Sequence, residues 1–120
     1  MKNIQLTCAH ALIKYLIAQK TLIDGKKVPL FPGVFGIFGH GNVACLGQAL
    51  QENQKDLPTW RGHHEQNMAL TGIAYSRAKR RKQIFVATSS VGPGSTNMIT
   101  AAAVAMSNRI PILFLPGDTF

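Results

Sequence analysis

Two apolar runs that do not alternate, Val34-Phe35-Gly36-Ile37-Phe38 and Ile84-Phe85-Val86-Ala87-Thr88, constrain the fold more than any other feature of the chain. A strand with one wet face alternates apolar and polar residues, whereas a run that is apolar throughout reads as a strand covered on both faces, as in a parallel sheet between helices. Each run stops at a turn, Phe38-Gly39-His40-Gly41-Asn42 or Ser89-Ser90-Val91-Gly92-Pro93-Gly94, and helical spacing follows. A shorter strand, Pro58-Thr59-Trp60-Arg61, leads through Gly62-His63-His64 into a helix whose first turn carries Glu65. Strand-to-helix turns in succession place their loops on one edge of an α/β sheet, the edge at which such sheets bind ligands.

The remaining elements follow from local signals. Thr7 caps a helix to about Gln19, with Ala9, Leu12, Ile13, Leu16 and Ile17 on its apolar side. Asp24-Gly25 between short apolar segments predicts a hairpin over 21–30. Asn42 is placed to cap a helix through about Asn53, packed by Val43, Leu46 and Leu50. The Glu65 helix is expected to run to about Lys79 with Met68, Ala69, Gly72, Ile73 and Tyr75 or Ser76 inside. Ser95 or Thr96 should cap an Ala-rich helix to about Asn108, and Ile110 to Leu115 should form the last strand. The order β-α-β-α-β-α-β after an opening helix implies a parallel sheet flanked by helices, in one domain over 1–120. A strand leaving Pro116-Gly117-Asp118 ordinarily leads into another helix, so the domain is expected to be incomplete at its C-terminal side.

The chain has 120 residues, 46% of them hydrophobic, which suffices for a core. Its net charge of +8 raises the question of a polyanionic partner. The dense basic cluster Lys79-Arg80-Arg81-Lys82 falls between a helix and a strand, where the macrodipole favours cations at a solvated helix end. No aromatic stacking surface is evident beside it, so nucleic-acid binding is the lesser reading. Cys8 and Cys45 lie apart in apolar-periodic segments and are expected to be buried, reduced thiols. With no signal peptide and no apolar run near the roughly 20 residues of a membrane helix, a cytoplasmic location is expected.

The loops admit more than one chemistry. Gly39-x-Gly41-x-x-Ala44 fits a loose dinucleotide fingerprint, but Trp60-Arg61-Gly62 stands where a ribose-binding acid belongs, and a plain tight turn competes with it. His40 is either a ligand contact or a polar turn residue. Gly92-Pro93-Gly94 offers a rigid loop with donors Ser89, Ser90, Thr96 and Asn97 around it. His63 and His64 adjoin Glu65, yet neighbouring side chains diverge and no third ligand is spaced to join them, so no metal site is expected here. Glu65 itself is either a first-turn carboxylate stabilising its helix by roughly 0.3–1 kcal/mol or a catalytic acid–base.

Taken together, Val34 to Gly39, His64-Glu65-Gln66-x-x-Ala69, Thr88-Ser89-Ser90-x-Gly92-Pro93-Gly94 with Asn97, and Asn108-Arg109-Ile110-Pro111-Ile112 resemble the N-terminal pyrimidine-binding domain of thiamine diphosphate-dependent enzymes, the acetolactate synthase group. Phe38 to Val43, Asn97 to Ala103 and Leu115 to Phe120 look most like the branch that opens a cyclic diketone to 5-deoxyglucuronate in myo-inositol catabolism. Asn67 and Leu70 depart from the family's pattern in the catalytic helix.

The resemblance implies that Glu65 is the cofactor-activating carboxylate, sharing a proton with a ring nitrogen of the aminopyrimidine. It implies cofactor contacts from Gly92, Pro93, Gly94 and Asn97, and a substrate cleft at Phe38, Gly39, His40 and Ser90. It also implies that the diphosphate and Mg²⁺ are held by a separate C-terminal domain with a Gly-Asp-Gly motif, often across a homodimer or homotetramer. Gly117-Asp118 is followed by Thr119, so that half is expected outside this chain, which alone should be inactive. The alternatives are another thiamine diphosphate enzyme, acetolactate synthase-like, or a small nucleotide-binding or basic nucleic-acid-binding module.

Overall fold

The computed structural model describes residues 3–118. Thr7 caps α1 (Cys8–Ala18), its hydroxyl accepting from the amide of His10 at 3.2 Å, and Ile13 and Leu16 are buried. A ribbon of β1 (Lys20–Ile23) and β2 (Lys26–Pro29) follows, antiparallel, with Asp24 at φ 49 and Gly25 at φ 76. Two successive positive φ values make the turn that matches the twist of a two-residue hairpin.

The main sheet contains β3 (Val34–Gly36), β4 (Thr59–Arg61), β5 (Val86–Ser89) and β6 (Leu113–Pro116), in the order β4-β3-β5-β6. Every pairing is parallel, Phe35 lying opposite Trp60 on one side and Ala87 on the other. β5 is buried along its whole length, and the hydroxyl of Thr88 donates to the carbonyl of Leu115 at 2.7 Å, so its polar group is satisfied inside. One layer, α1 with α2 (Gln48–Glu52), covers one face through Ile13, Leu16, Leu46, Ala49 and Leu50. α3 (Glu65–Ala78) and α5 (Ile99–Asn108) cover the other through Met68, Ala69, Ile73, Ala101 and Ala105. No helix among the described residues is long and apolar enough to cross a membrane.

Several elements differ from their sequence expectations. The helix after β3 opens with π-type turns over Val43–Gly47 before α2. The wider turn breaks the i, i+3, i+7 spacing, so Leu46, Ala49 and Leu50 face inward while Val43 is 55% exposed. Cys45 is exposed as well, its thiol donating to the carbonyl of Gly41 at 3.1 Å, and Cys8 is exposed in the first turn of α1; neither thiol is buried as expected. Asn42 makes no side-chain cap, and the last helix is split into α4 (Pro93–Thr96) and α5, with Ser95 turned away from capping. β5 begins at Val86 because the amide of Ile84 bonds to Leu30 instead. β6 begins only at Leu113, whose amide reaches Phe85; Pro111 has no amide to give the ladder.

The basic stretch is a solvated helix end, as expected: Lys79 closes α3, and Arg80 and Arg81 turn the chain away at φ 52 and 63. An aromatic ring does lie beside it, with the Lys79 ammonium 5.6 Å from the centre of Tyr75. That ring is packed edge-on to Phe85 and its hydroxyl donates to Gln83, so it is no open stacking platform. Burial raises the Tyr75 phenol above its ordinary pKa.

His10 of α1 reaches Glu52 at the end of α2, 2.8 Å between Nε2 and Oε2. Hydrogen bonds from His10 and then Gln48 hold the Glu52 carboxyl below its ordinary value of 4.5. A carboxyl depressed in the folded state adds stability above its unfolded pKa and loses it as pH falls through the folded one. The urea midpoint of the wild-type chain should therefore exceed that of Glu52→Gln near neutrality, and the difference should close below about pH 4.5, the ordinary value. A gap that persists in acid would show that the carboxylate is not its source.

Candidate functional site

The chain reverses direction around β3. From β3 it passes to β4 on one side, then crosses to β5 on the other, so the loops leaving the carboxyl ends of β3 and β5 diverge to opposite layers. Sheets of this kind bind ligands at such a point. The loop from β4 into α3 ends beside it, and contacts of α3 with β3, β5 and α5 fix that helix in place.

Glu65 is the first residue of α3 and is half-buried. His64 precedes it as the N-cap, with Nδ1 accepting from the Asn67 amide at a long 3.4 Å. Asn97, at the end of α4, donates from Nδ2 to Glu65 Oε2 at 2.8 Å and lies 3.5 Å from His64 Nε2. Among the described residues Oε1 has no hydrogen-bond partner. Gly94 lies beside it, where an added Cβ would come 3.2 Å from Oε1 and 2.5 Å from the Ser90 hydroxyl. Gly39 abuts the other side of Ser90, since a Cβ there would come 2.5 Å from the Ser90 Cβ. Glu65, Asn97, Gly94, Ser90 and Gly39, far apart in the chain, thus form one continuous set of contacts.

Two residues stitch the loops in a way that local spacing does not disclose. Asn42, 7% exposed, accepts from the Gly39 amide at 3.0 Å and donates to the Ser89 carbonyl at 2.8 Å, joining the β3 loop to the β5 loop. The Ser95 hydroxyl lies 2.8 Å from the Ser90 carbonyl and 3.0 Å from that of Gly117, and shares its one proton between them. The amide of Gly117 also donates to Ser89, tying the end of β6 to the same loop. These bonds replace the capping roles expected of Asn42 and Ser95. The only sequence signal for Asn42 is an amide side chain directly after a glycine turn.

The other site residues sit at the margins. His40 is exposed on the β3 loop, and Gly92 (φ 59) and Pro93 are exposed at the entry to α4. Phe38 lays its ring against Gly36 and Gly47 and packs with the α1 and α2 layer. It lines a cleft of about 510 Å³ with Val43, Gln51, Thr59 and Arg61. The dinucleotide reading of Gly39-x-Gly41 loses support, because the Gly39 amide is taken by Asn42 and the amides of Asn42 and Val43 return to the Gly39 carbonyl. A pyrophosphate needs such amides open. No group of three His, Cys, Asp or Glu among the described residues could hold a metal ion.

A first-turn carboxylate oriented by an amide, with one oxygen unpaired beside Gly94, can accept a hydrogen bond at a fixed point. Residues 32–120 match the family described as thiamine pyrophosphate enzyme, N-terminal TPP binding domain. The chain belongs to this family. Over all 120 residues the domain is 52% identical to the 3D-(3,5/4)-trihydroxycyclohexane-1,2-dione hydrolase of Clostridium tetani and 53% identical to that of Geobacillus thermodenitrificans. It is 50% identical over 119 residues, 99% of the chain, to the same hydrolase of Listeria innocua. The domain spans 19% of the length of each of these relatives. Both the parallel sheet between helix layers and the thiamine diphosphate-binding character expected from the sequence are borne out.

Proposed function

We propose that residues 1–120 supply the pyrimidine-side half of a thiamine diphosphate site in a longer cytoplasmic enzyme that opens a cyclic 1,2-diketone in inositol catabolism. The observation that carries this reading is the state of Glu65: Asn97 occupies one carboxylate oxygen and the other is unpaired beside Gly94. The donor set fits an aminopyrimidine, which needs an acceptor or shared proton at a ring nitrogen and a wall without side chains for the ring to approach. Gly94 provides that wall beside Oε1.

When bound, the cofactor supplies the electron sink for cleavage of a carbon–carbon bond. The chain's own residues position and exchange a proton. Glu65 would offer Oε1 to the ring nitrogen when the cofactor is bound, and Asn97, donating to Oε2, orients the carboxylate for it. Gly92, Pro93 and Gly94 would border the ring when the cofactor is bound. Gly39, His40 and Ser90 border the substrate, and Phe38 supports their loop from the α1 and α2 layer. In this reading Mg²⁺ and the diphosphate are held by a further domain, the enzyme is a homodimer or homotetramer, and the 120-residue chain does not turn over alone.

The test is an assay of the longer protein that contains this domain, supplied with thiamine diphosphate and Mg²⁺ and offered either trihydroxycyclohexane-1,2-dione or pyruvate. Ring opening of the diketone, dependent on the cofactor, is the expected result. Condensation of pyruvate with no action on the diketone would move the domain to the acetolactate synthase-like reading.

A further inference from the structure

At the far end of α3 from Glu65, about 18 Å away along a 14-residue helix, lies a second polar cavity. Its volume is about 460 Å³, and it is lined by Arg77, Arg80, Arg81, Asn108 and Ile110. That volume falls in the range of small-molecule sites. We propose that this cavity binds a compact, multiply charged phosphate-type anion, such as the diphosphate or phosphate-ester group of a small metabolite. This proposal is independent of the reading of Glu65.

Three observations carry it. Among the described residues none of the three guanidiniums has an ion pair or a side-chain hydrogen bond, and the sequence has no Asp or Glu between Glu65 and Asp118 that could neutralise them locally. Arg77 lies in the last turn of α3 and Arg80 and Arg81 just beyond its end, so three like charges line one cavity with no acidic partner among the described residues. The backbone enforces the gathering. Arg80 and Arg81 take consecutive left-handed conformations, rare for residues other than glycine, and the Arg81 amide donates to the Ser76 carbonyl at 2.8 Å. That closure folds both arginines back beside Arg77 instead of letting them follow the chain toward β5.

The lining also narrows the ligand. Asn108 uses its amide on the Val104 carbonyl at 2.9 Å, so recognition falls to the guanidiniums, whose planar forks match phosphate oxygens in pairs. Ile110, 8% exposed, adds an apolar wall beside the exposed arginines. Lys79 is drawn aside over Tyr75.

Titration of the full chain with inorganic pyrophosphate, followed by arginine side-chain NMR and calorimetry at fixed ionic strength, tests the site. Saturation at one equivalent is expected, with the Nε–H signals of Arg77, Arg80 and Arg81 moving together and inorganic phosphate binding more weakly. R77Q/R81Q should weaken pyrophosphate at least about tenfold, R80Q should weaken it by less, and K26Q/K27Q, with the same charge removed from the hairpin, should stay within about twofold. Circular dichroism of each variant verifies folding, and the wild-type signals alone decide the matter if one variant does not fold. Non-saturating shifts, or an equal loss in K26Q/K27Q, would overturn the site in favour of diffuse charge. Binding of a single-stranded oligonucleotide more tightly than pyrophosphate, with a steep salt dependence, would overturn it in favour of nucleic acid.

Discussion

Glu65→Gln in the longer enzyme is expected to lower turnover by about 10²–10⁴-fold, the usual loss for a positioned acid–base group. The substitution keeps the side chain's size and leaves an oxygen to accept from Asn97, now 2.8 Å from Oε2. It converts the other position, the open acceptor beside Gly94, into an amide that donates and cannot hold a transferable proton. The fold should tolerate the change. Glu65 sits in the first turn of α3, and losing its charge there costs roughly 0.3–1 kcal/mol of dipole interaction. Turnover numbers, affinity for thiamine diphosphate and urea unfolding of the two proteins separate the outcomes. Activity within a few-fold of wild type would leave Glu65 with only its helix-stabilising role.

Gly39→Ala is expected to destabilise the domain by about 1–3 kcal/mol, as overpacking of a well-filled contact does. The added Cβ would meet the Ser90 Cβ at 2.5 Å, and no rotamer of Ser90 moves its own Cβ. The loops must therefore separate, against the two hydrogen bonds of Asn42 that hold them together. Ser90→Gly removes the obstructing atom, so the double variant should recover most of the loss. Chemical unfolding of wild type, both single variants and the pair gives the coupling directly. Additive losses would mean that Gly39 matters for its backbone and not for its contact with Ser90.

The parallel sheet was legible because Val34 to Phe38 and Ile84 to Thr88 lack the alternation of a half-wet strand, and both supply central strands. α1, the hairpin and α3 were legible for local reasons: Thr7, Asp24-Gly25 and the periodicity of Met68, Ala69, Gly72 and Ile73 each act within a few residues. Glu65 and Asn97 stood out through a resemblance, and the structure shows the bond that joins them across 32 positions. What local reasoning missed lies in longer-range or non-periodic features. Asn42 and Ser95 have the chemistry of caps, but their partners are 47 and 22 residues away, and a capping rule looks no further than three. Cys45 and Val43 were misplaced because they lie in turns that abandon the 3.6-residue period on which inward and outward were assigned.

Those π-type turns have a consequence for how the domain can vary. A helix with 4.4 residues in a turn holds one more residue than the α-helical path between the same two points, so the segment 43–47 acts as slack in the chain. Removing one residue there would rewind the segment and rotate the side chains before it by about 100° relative to Leu46 and Leu50, turning Val43 out of the wall of the Phe38 cleft that it now lines while the sheet and Glu65 stay where they are. A lineage could thus reshape that wall by a single-codon gain or loss, without disturbing the site at the end of β3.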